Sequence, residues 1–133
     1  MPATALRLQD ATMQIATLIE VSMQQKEYQP MPTPDEAYAA AEKLKDGGKL
    51  EEAVAALEEV IAGHPDFALA HSAISAWCTR LERHEKAVEH ARRVCELEPN
   101  EPFSFTALSV ACMKAGKIPE AEDALARARM MQG

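Results

Sequence analysis

Apolar and polar residues follow one another along this chain with the period of amphipathic helices, and the pattern then recurs at a step of 34 residues. The clearest copy is GGKLEEAVAALEEVIAGHP, residues 47–65. Its central residue, Ala53, recurs as Ala87 and Ala121. A fixed period of this length is typical of a stacked array of helix hairpins.

Glycines and prolines interrupt the apolar pattern and set the limits of six predicted helices. Thr33 is a good N-cap, Pro34 suits the first helical position, and Glu36 completes a capping box. Asp66 and Asn100 are predicted to cap the third and fifth helices. The predicted helices are Pro34–Asp46, Leu50–Ala62, Phe67–Leu81, Glu85–Leu97, Glu101–Ala115 and Pro119–Met131.

Each predicted hairpin carries a small residue on both helices, which allows the two helices to cross closely. The pairs are Ala41 with Ala53, Ser75 with Ala87, and Ser109 with Ala121. Gly48 and Gly116 also match between repeats, whereas the second repeat has Glu82 at that position.

The small–small crossing, the alanine-rich second helix and the closing prolines Pro65 and Pro99 resemble the tetratricopeptide repeat. The resemblance implies an all-α fold, a right-handed superhelical stack of three helix hairpins at residues 34–67, 68–101 and 102–133. The sequence departs from this family at Ala37 and His71, where a large aromatic residue is usual, whereas Phe105 fits.

The first 29 residues lie outside the repeats and are predicted to form an amphipathic helix, with a disordered tail as the alternative. One helical stripe carries Leu8, Ala11, Ile15, Leu18, Ile19 and Ser22. A proline-rich linker at residues 30–33 follows, and its alternating prolines favour an extended spacer. Leu8, Ile15, Leu18 and Ile19 are the candidate residues for self-association.

The formal charge of −7 argues against nucleic acids and anionic membrane surfaces as partners. Cations in the second repeat alternate with glutamates, which predicts an ion-paired, solvated helix face. No apolar run approaches membrane-spanning length, and we expect no secretion signal, because the first residues lack a long apolar core behind a basic flank. Three widely spaced cysteines, Cys78, Cys95 and Cys112, fit reduced thiols, so we expect a cytoplasmic protein.

We find no catalytic constellation in the sequence, and we expect neither an enzyme nor a cofactor or metal site. The chain has no Gly-rich phosphate loop, HExxH or CxxC motif. His90 and Cys95 are five residues apart, a poor spacing for shared ligation on one helix face. We explain the cysteines as packed core residues, the histidines as surface residues, and the glutamates as the solvated face of an amphipathic helix.

In the family that the chain resembles, the first helices of successive repeats line a concave groove that holds a peptide. That resemblance implies a lining of Tyr38, Glu42, Lys45, Leu69, Ser72, Ala76, Thr79, Arg80, Phe103, Thr106, Val110, Met113 and Lys114. Such an apolar lining suits an amphipathic helix or an extended apolar segment. The alternatives are that these residues are core, or that the chain's own first helix covers them.

One subclass of the family grips a C-terminal carboxylate with Lys, Asn and Arg. At the corresponding positions this chain has Tyr38, Glu42, Ala73, Phe103 and Ala107, which argues against that mode of binding.

Two functional hypotheses follow. The first is an adaptor or chaperone that binds a protein or peptide partner, and its architecture resembles that of the small chaperones of bacterial type III secretion. The second is a self-assembling module whose N-terminal helix mediates dimerisation or domain swapping.

Overall fold

The structure is a computed structural model that describes residues 14–18 and 30–133. Residues 14–18 are helical, and within them Ile15 and Leu18 are exposed to 58% and 67%. Leu8 and Ile19, the other two residues predicted to mediate self-association, lie outside the described residues. Residues 32–133 form a compact unit of their own.

Six helices build this unit: α1 (Pro34–Asp46), α2 (Leu50–Gly63), α3 (Ala68–Arg80), α4 (His84–Leu97), α5 (Pro102–Lys114) and α6 (Ile118–Gln132). Within the described residues every regular element is a helix, so the predicted all-α class is confirmed. The helices form three hairpins, α1/α2, α3/α4 and α5/α6, stacked as a right-handed superhelix. In this stack α2 packs on α3, α4 packs on α5, and α3 also touches α5.

The start of α1 is capped as the sequence predicts. The Thr33 hydroxyl accepts a hydrogen bond from the backbone N–H of Glu36 at 3.2 Å, and Pro34 occupies the first turn. A proline at this position lacks only an N–H that would have no partner within the helix.

The predicted caps of α3 and α5 were wrong. Asp66 pairs instead with Arg93 at 2.9 Å, and α3 begins after Phe67 without a side-chain cap. Glu101, not Asn100, caps α5, because its carboxylate accepts a hydrogen bond from the backbone N–H of Phe103 at 3.3 Å.

The small residues meet at the helix crossings, and two of the three crossings also carry a hydrogen bond. The Ser75 hydroxyl donates to the carbonyl of Ala87 at 2.8 Å, and the Ser109 hydroxyl donates to the carbonyl of Ala121 at the same distance. In the first hairpin, where Ala41 replaces serine, its side chain is fully buried without such a bond. Each serine is small enough for close crossing and still satisfies its buried hydroxyl.

The turns between the two helices of each hairpin share one backbone conformation. The backbone N–H groups of Lys49, Arg83 and Lys117 each donate to the carbonyl five residues earlier, at 2.8–2.9 Å. Before each donor stands a residue with positive φ: Gly48 at 82°, Glu82 at 61° and Gly116 at 78°. Glu82 therefore adopts a left-handed conformation that disfavours residues with a Cβ.

Most ion pairs of the second helices connect different repeats, although Arg93–Glu96 and Arg127–Asp123 lie within one helix. Lys86 of α4 pairs with Glu58 of α2. Arg92 of α4 bonds both carboxylate oxygens of Glu120 of α6 at 2.6 Å. An ion-paired face was therefore predicted correctly, but most of its partners come from the neighbouring repeat and not from the interleaved glutamates.

The three cysteines are free and buried, and they serve as small core residues. Burial raises the pKa of all three thiols, to about 11 for Cys95. The Cys95 thiol also donates to the carbonyl of Ser104 at 3.3 Å.

Two histidines form a buried pair between α3 and α4, so the prediction that the histidines lie at the surface was wrong for both. His71 Nε2 lies 2.8 Å from the carbonyl oxygen of Pro65, which can only accept, so this nitrogen carries the proton. His71 Nδ1 is then the acceptor for His90 Nδ1–H at 2.9 Å. The pair joins α3, α4 and the turn before α3, at the place where the third repeat has Phe105.

Burial and the nearby ring of His71 lower the pKa of His90 below its usual range. The charged groups around it are Glu58 from α2 and Lys86 and Glu89 from α4 itself. The folded protein therefore favours the neutral form of His90.

The lowered pKa of His90 makes the stability of the fold depend on pH. An unfolded histidine takes up a proton near pH 6.5, and folded His90 does so at lower pH. The contribution of His90 to the free energy of unfolding is therefore fully present above about pH 6.5 and is lost as the solution becomes more acidic. Urea unfolding between pH 7.5 and 5.2 should show this decline in wild type. His71→Phe/His90→Leu should reduce it, whereas His64→Gln, at an exposed histidine, should retain it. An equal decline in all three proteins would contradict the assignment.

Replacing Glu82 with glycine should stabilise the protein by about 0.5–1 kcal/mol, because glycine relieves the left-handed strain and loses only part of that gain to the entropy of the unfolded chain. Thermal or urea unfolding measures the difference. The matched control is Gly116→Glu at the same position of the third repeat. An added Cβ there meets nothing within 4 Å, so only the backbone term acts, and we expect a loss of similar size. Glu82→Gly with unchanged or lower stability would rule out this explanation.

Candidate functional site

A cavity of about 720 Å³ lies between the first helices of the second and third hairpins. Helices α3 and α5 form its two walls, and α4 lies beneath them. The lining consists of Ala68, Leu69, Ser72, Ser75, Ala76, Thr79, Arg80, Ala91, Val94, Glu98, Glu101, Phe103, Ser104, Thr106, Ala107, Val110, Ala111 and Lys114.

The cavity exists because the facing positions of its walls are small. Ser72 and Ala76 on α3 and Ala107 on α5 leave space that larger residues would fill. Around this space the apolar side chains of Leu69, Phe103 and Val110 are exposed to 48%, 79% and 51%. Exposed apolar side chains gathered around one concave surface are characteristic of an interaction site.

Most of the groove residues implied by the resemblance line this cavity. They are Leu69, Ser72, Ala76, Thr79 and Arg80 from α3, with Phe103, Thr106, Val110 and Lys114 from α5. Met113 is 55% exposed on α5 but is not part of the lining.

The residues proposed from α1 do not reach the cavity. The ring of Tyr38 packs edge-on against Phe67, with centroids 6.3 Å apart. Burial, together with the charge and hydrogen bond of Glu42, raises the pKa of Tyr38. Lys45 Nζ lies 5.6 Å from the ring centroid of Trp77. These three side chains are therefore engaged in packing within the first and second hairpins.

The sequence reasoning missed the residues beneath the walls. A helical stripe begins at Ala87 and continues at steps of three and four residues to Ala91, Val94 and Glu98. The last three of these residues line the cavity. This stripe was the signal that could have revealed them.

Charged residues lie at the ends of the cavity. Arg80 and Lys114 are the last residues of α3 and α5. Glu98 and Glu101 lie beside the start of α5. Because α3 and α5 are both first helices of their hairpins, their carboxyl ends lie on the same side, and the basic and acidic residues therefore mark opposite ends.

A second cavity, of about 550 Å³, contains the histidine pair together with charged side chains of α2 and α4. Within the described ranges no group of three or more histidines, cysteines or carboxylates could hold a metal ion. Likewise, none of the helices in those ranges is both long and apolar enough to cross a membrane.

Comparisons with solved structures establish the fold. No protein-family model matches the sequence, and no curated protein matches it significantly. The chain is similar to MamA with a TM-score of 0.69 at 18% identity, over 75% of this chain and 58% of MamA. It therefore spans little more than half of that protein.

Two further similar structures are tetratricopeptide-repeat domains. The second such domain of Spaghetti (RPAP3), bound to the HSP90 peptide SRMEEVD, matches with a TM-score of 0.66 at 18% identity, over 83% of this chain and 98% of that one. The Sgt2 domain from Aspergillus fumigatus matches with a TM-score of 0.68 at 18% identity, over 78% and 69%. This chain has the tetratricopeptide-repeat fold.

Proposed function

We propose that this chain is a non-catalytic protein-interaction module, of adaptor or chaperone type, that binds an apolar or amphipathic peptide segment between α3 and α5. The observation that carries the proposal is the exposure of Leu69, Phe103 and Val110 around one cavity. Leaving three large apolar side chains in water is unfavourable, and covering them with a partner removes that cost.

The dimensions of the cavity support a peptide ligand. Its volume falls within the usual range of ligand-binding sites. Helix α3 has 13 residues, which at about 1.5 Å per residue gives walls about 20 Å long. A helical segment of three to four turns fits that length, and so does an extended segment with fewer residues. The similar domain that holds an HSP90 peptide supports a peptide as the class of ligand.

The residues present favour an apolar ligand rather than a free C-terminal carboxylate. Phe103 and Ala107 line the cavity, and Ala73 is buried, at positions where the carboxylate-binding subclass has polar or cationic residues.

Truncating Phe103 should weaken binding strongly. We would select peptides by display against the wild-type chain and measure their affinities by calorimetry. Phe103→Ala should cost about 2 kcal/mol, roughly 30-fold in Kd, because the ring would lose its buried contacts with the ligand. The melting temperature should stay unchanged, since the side chain is 79% exposed.

Met130→Ala is the matched control for this experiment. Met130 is also apolar and 81% exposed, but it lies on α6 and outside the cavity. We expect it to leave the affinity unchanged. Selected peptides that bind Phe103→Ala and Val110→Ala as tightly as wild type would contradict the proposed site.

A second candidate function is self-assembly through residues 1–29. Its support is the exposure of Ile15 and Leu18, which lie on one face of the helical residues 14–18. Apolar side chains three residues apart on a helix can pair with the same surface of another copy, and a two-fold dimer is the commonest closed arrangement. The two functions are compatible if assembly and peptide binding use different surfaces.

Charges placed on this stripe should abolish assembly. Size exclusion with light scattering on the full chain should give a dimer for wild type and a monomer for Ile15→Asp/Leu18→Asp, since burying two carboxylates in an apolar interface is unfavourable. Gln14→Asp adds a charge on a neighbouring exposed residue and should leave the dimer intact. A monomeric wild type, or the same mass for all three proteins, would exclude this function.

A further inference from the structure

Two cations of the cavity occupy equivalent positions in successive repeats. Arg80 ends α3 and Lys114 ends α5, one repeat length apart, and both line the cavity and are exposed. Side chains at equivalent positions of neighbouring parallel helices present their charges to the same region. This end of the cavity is therefore basic, in a chain whose net charge is −7.

Neither cation has an ion-pair partner among residues 30–133, which contain the whole helical stack. Several cations on the second helices and their preceding turns do have partners, among them Lys86 with Glu58, Arg92 with Glu120 and Lys117 with Glu85. The other cations without an ion-pair partner among these residues, Lys43, Lys49 and Arg129, lie outside the cavity, so Arg80 and Lys114 are the two unpaired cations beside it.

The acidic end of the cavity is already engaged within the protein. Glu101 caps α5 through the backbone N–H of Phe103, and Glu98 accepts a hydrogen bond from the Ser104 hydroxyl at 3.4 Å. These carboxylates have internal roles. Arg80 and Lys114, by contrast, have no hydrogen bond or ion pair among residues 30–133, so the opposite end of the cavity presents two cations without a partner.

We propose that the cavity holds an amphipathic peptide in one orientation, with apolar side chains over Leu69, Phe103 and Val110 and acidic side chains between Arg80 and Lys114. This inference rests on the proposed peptide-binding function and adds the charge of the ligand and the end of the cavity that its acidic side chains occupy. The carbonyl ends of α3 and α5 are negative, so an acidic group can approach them only where cations offset that field. The cations also steer an acidic partner towards the cavity.

The test uses three labelled helical peptides of 16 residues, blocked at both ends so that only side chains carry charge. All share one stripe of leucines and isoleucines. One carries two glutamates in its first turn, one carries two glutamates in its last turn, and one carries glutamines in both. Using both acidic versions allows for either chain direction of the ligand.

One of the two acidic peptides should bind the wild-type chain at least about tenfold more tightly than the glutamine peptide, a difference of about 1.4 kcal/mol. Fluorescence anisotropy measures the three affinities. Arg80→Gln/Lys114→Gln should remove this advantage, and Arg80→Glu/Lys114→Glu should transfer it to a peptide with lysines at the same turn.

Lys43→Gln/Arg129→Gln is the matched control. It removes the same net charge from two exposed cations that lie outside the cavity and have no ion-pair partner among the described residues. It should keep the preference for the acidic peptide, which separates a local effect from the total charge of the protein.

The outcomes separate the two proposals. If the three peptides bind equally and Phe103→Ala weakens all of them, the orientation is wrong and the peptide site stands. If the Lys43/Arg129 control loses the preference as fully as the Arg80/Lys114 variant, the local role of the two cations is excluded. If no peptide binds, or if Phe103→Ala leaves the peptide affinities unchanged, both proposals fail.

Discussion

The close crossing of two helices over small side chains is the constraint on which the rest of this structure depends. Where Ser75 meets Ala87, and Ser109 meets Ala121, the backbones approach closely enough for a side-chain hydroxyl to reach the opposite carbonyl. A larger residue would overpack the contact and separate the helices. Because this crossing recurs in each hairpin, it sets the geometry of the stack and places α3 beside α5.

Most polar groups inside the stack are tolerated because they have a defined partner, whereas His84 Nδ1 is buried without one among the described residues. The histidine pair replaces an aromatic contact between α3 and α4, and an order of donors in which His71 donates to Pro65 and accepts from His90 satisfies all three groups. A buried polar pair of this kind contributes specificity, since only one arrangement satisfies it. It also ties the turn before α3 to α4.

Charge is distributed differently on the two sides of the stack. The second helices are connected by ion pairs between repeats, such as Arg92 with Glu120. The first helices carry few such pairs and instead leave Phe103, Val110 and Leu69 exposed around a cavity. The charges of the second helices are therefore largely paired within the stack, while the first helices surround a cavity with apolar surface for a partner to cover. This asymmetry favours binding over a purely structural role.

The sequence by itself determined the repeat, the helices and the residues at each crossing, because helical periodicity, turn residues and side-chain size are local properties. It also implied much of the cavity wall, including Leu69, Phe103 and Val110. Only the tertiary structure decided the rest. Asp66 pairs with a distant arginine instead of capping a helix, and two histidines 19 residues apart meet in the core. Such choices depend on which neighbours the stacked hairpins bring within reach, and a single sequence does not state those distances.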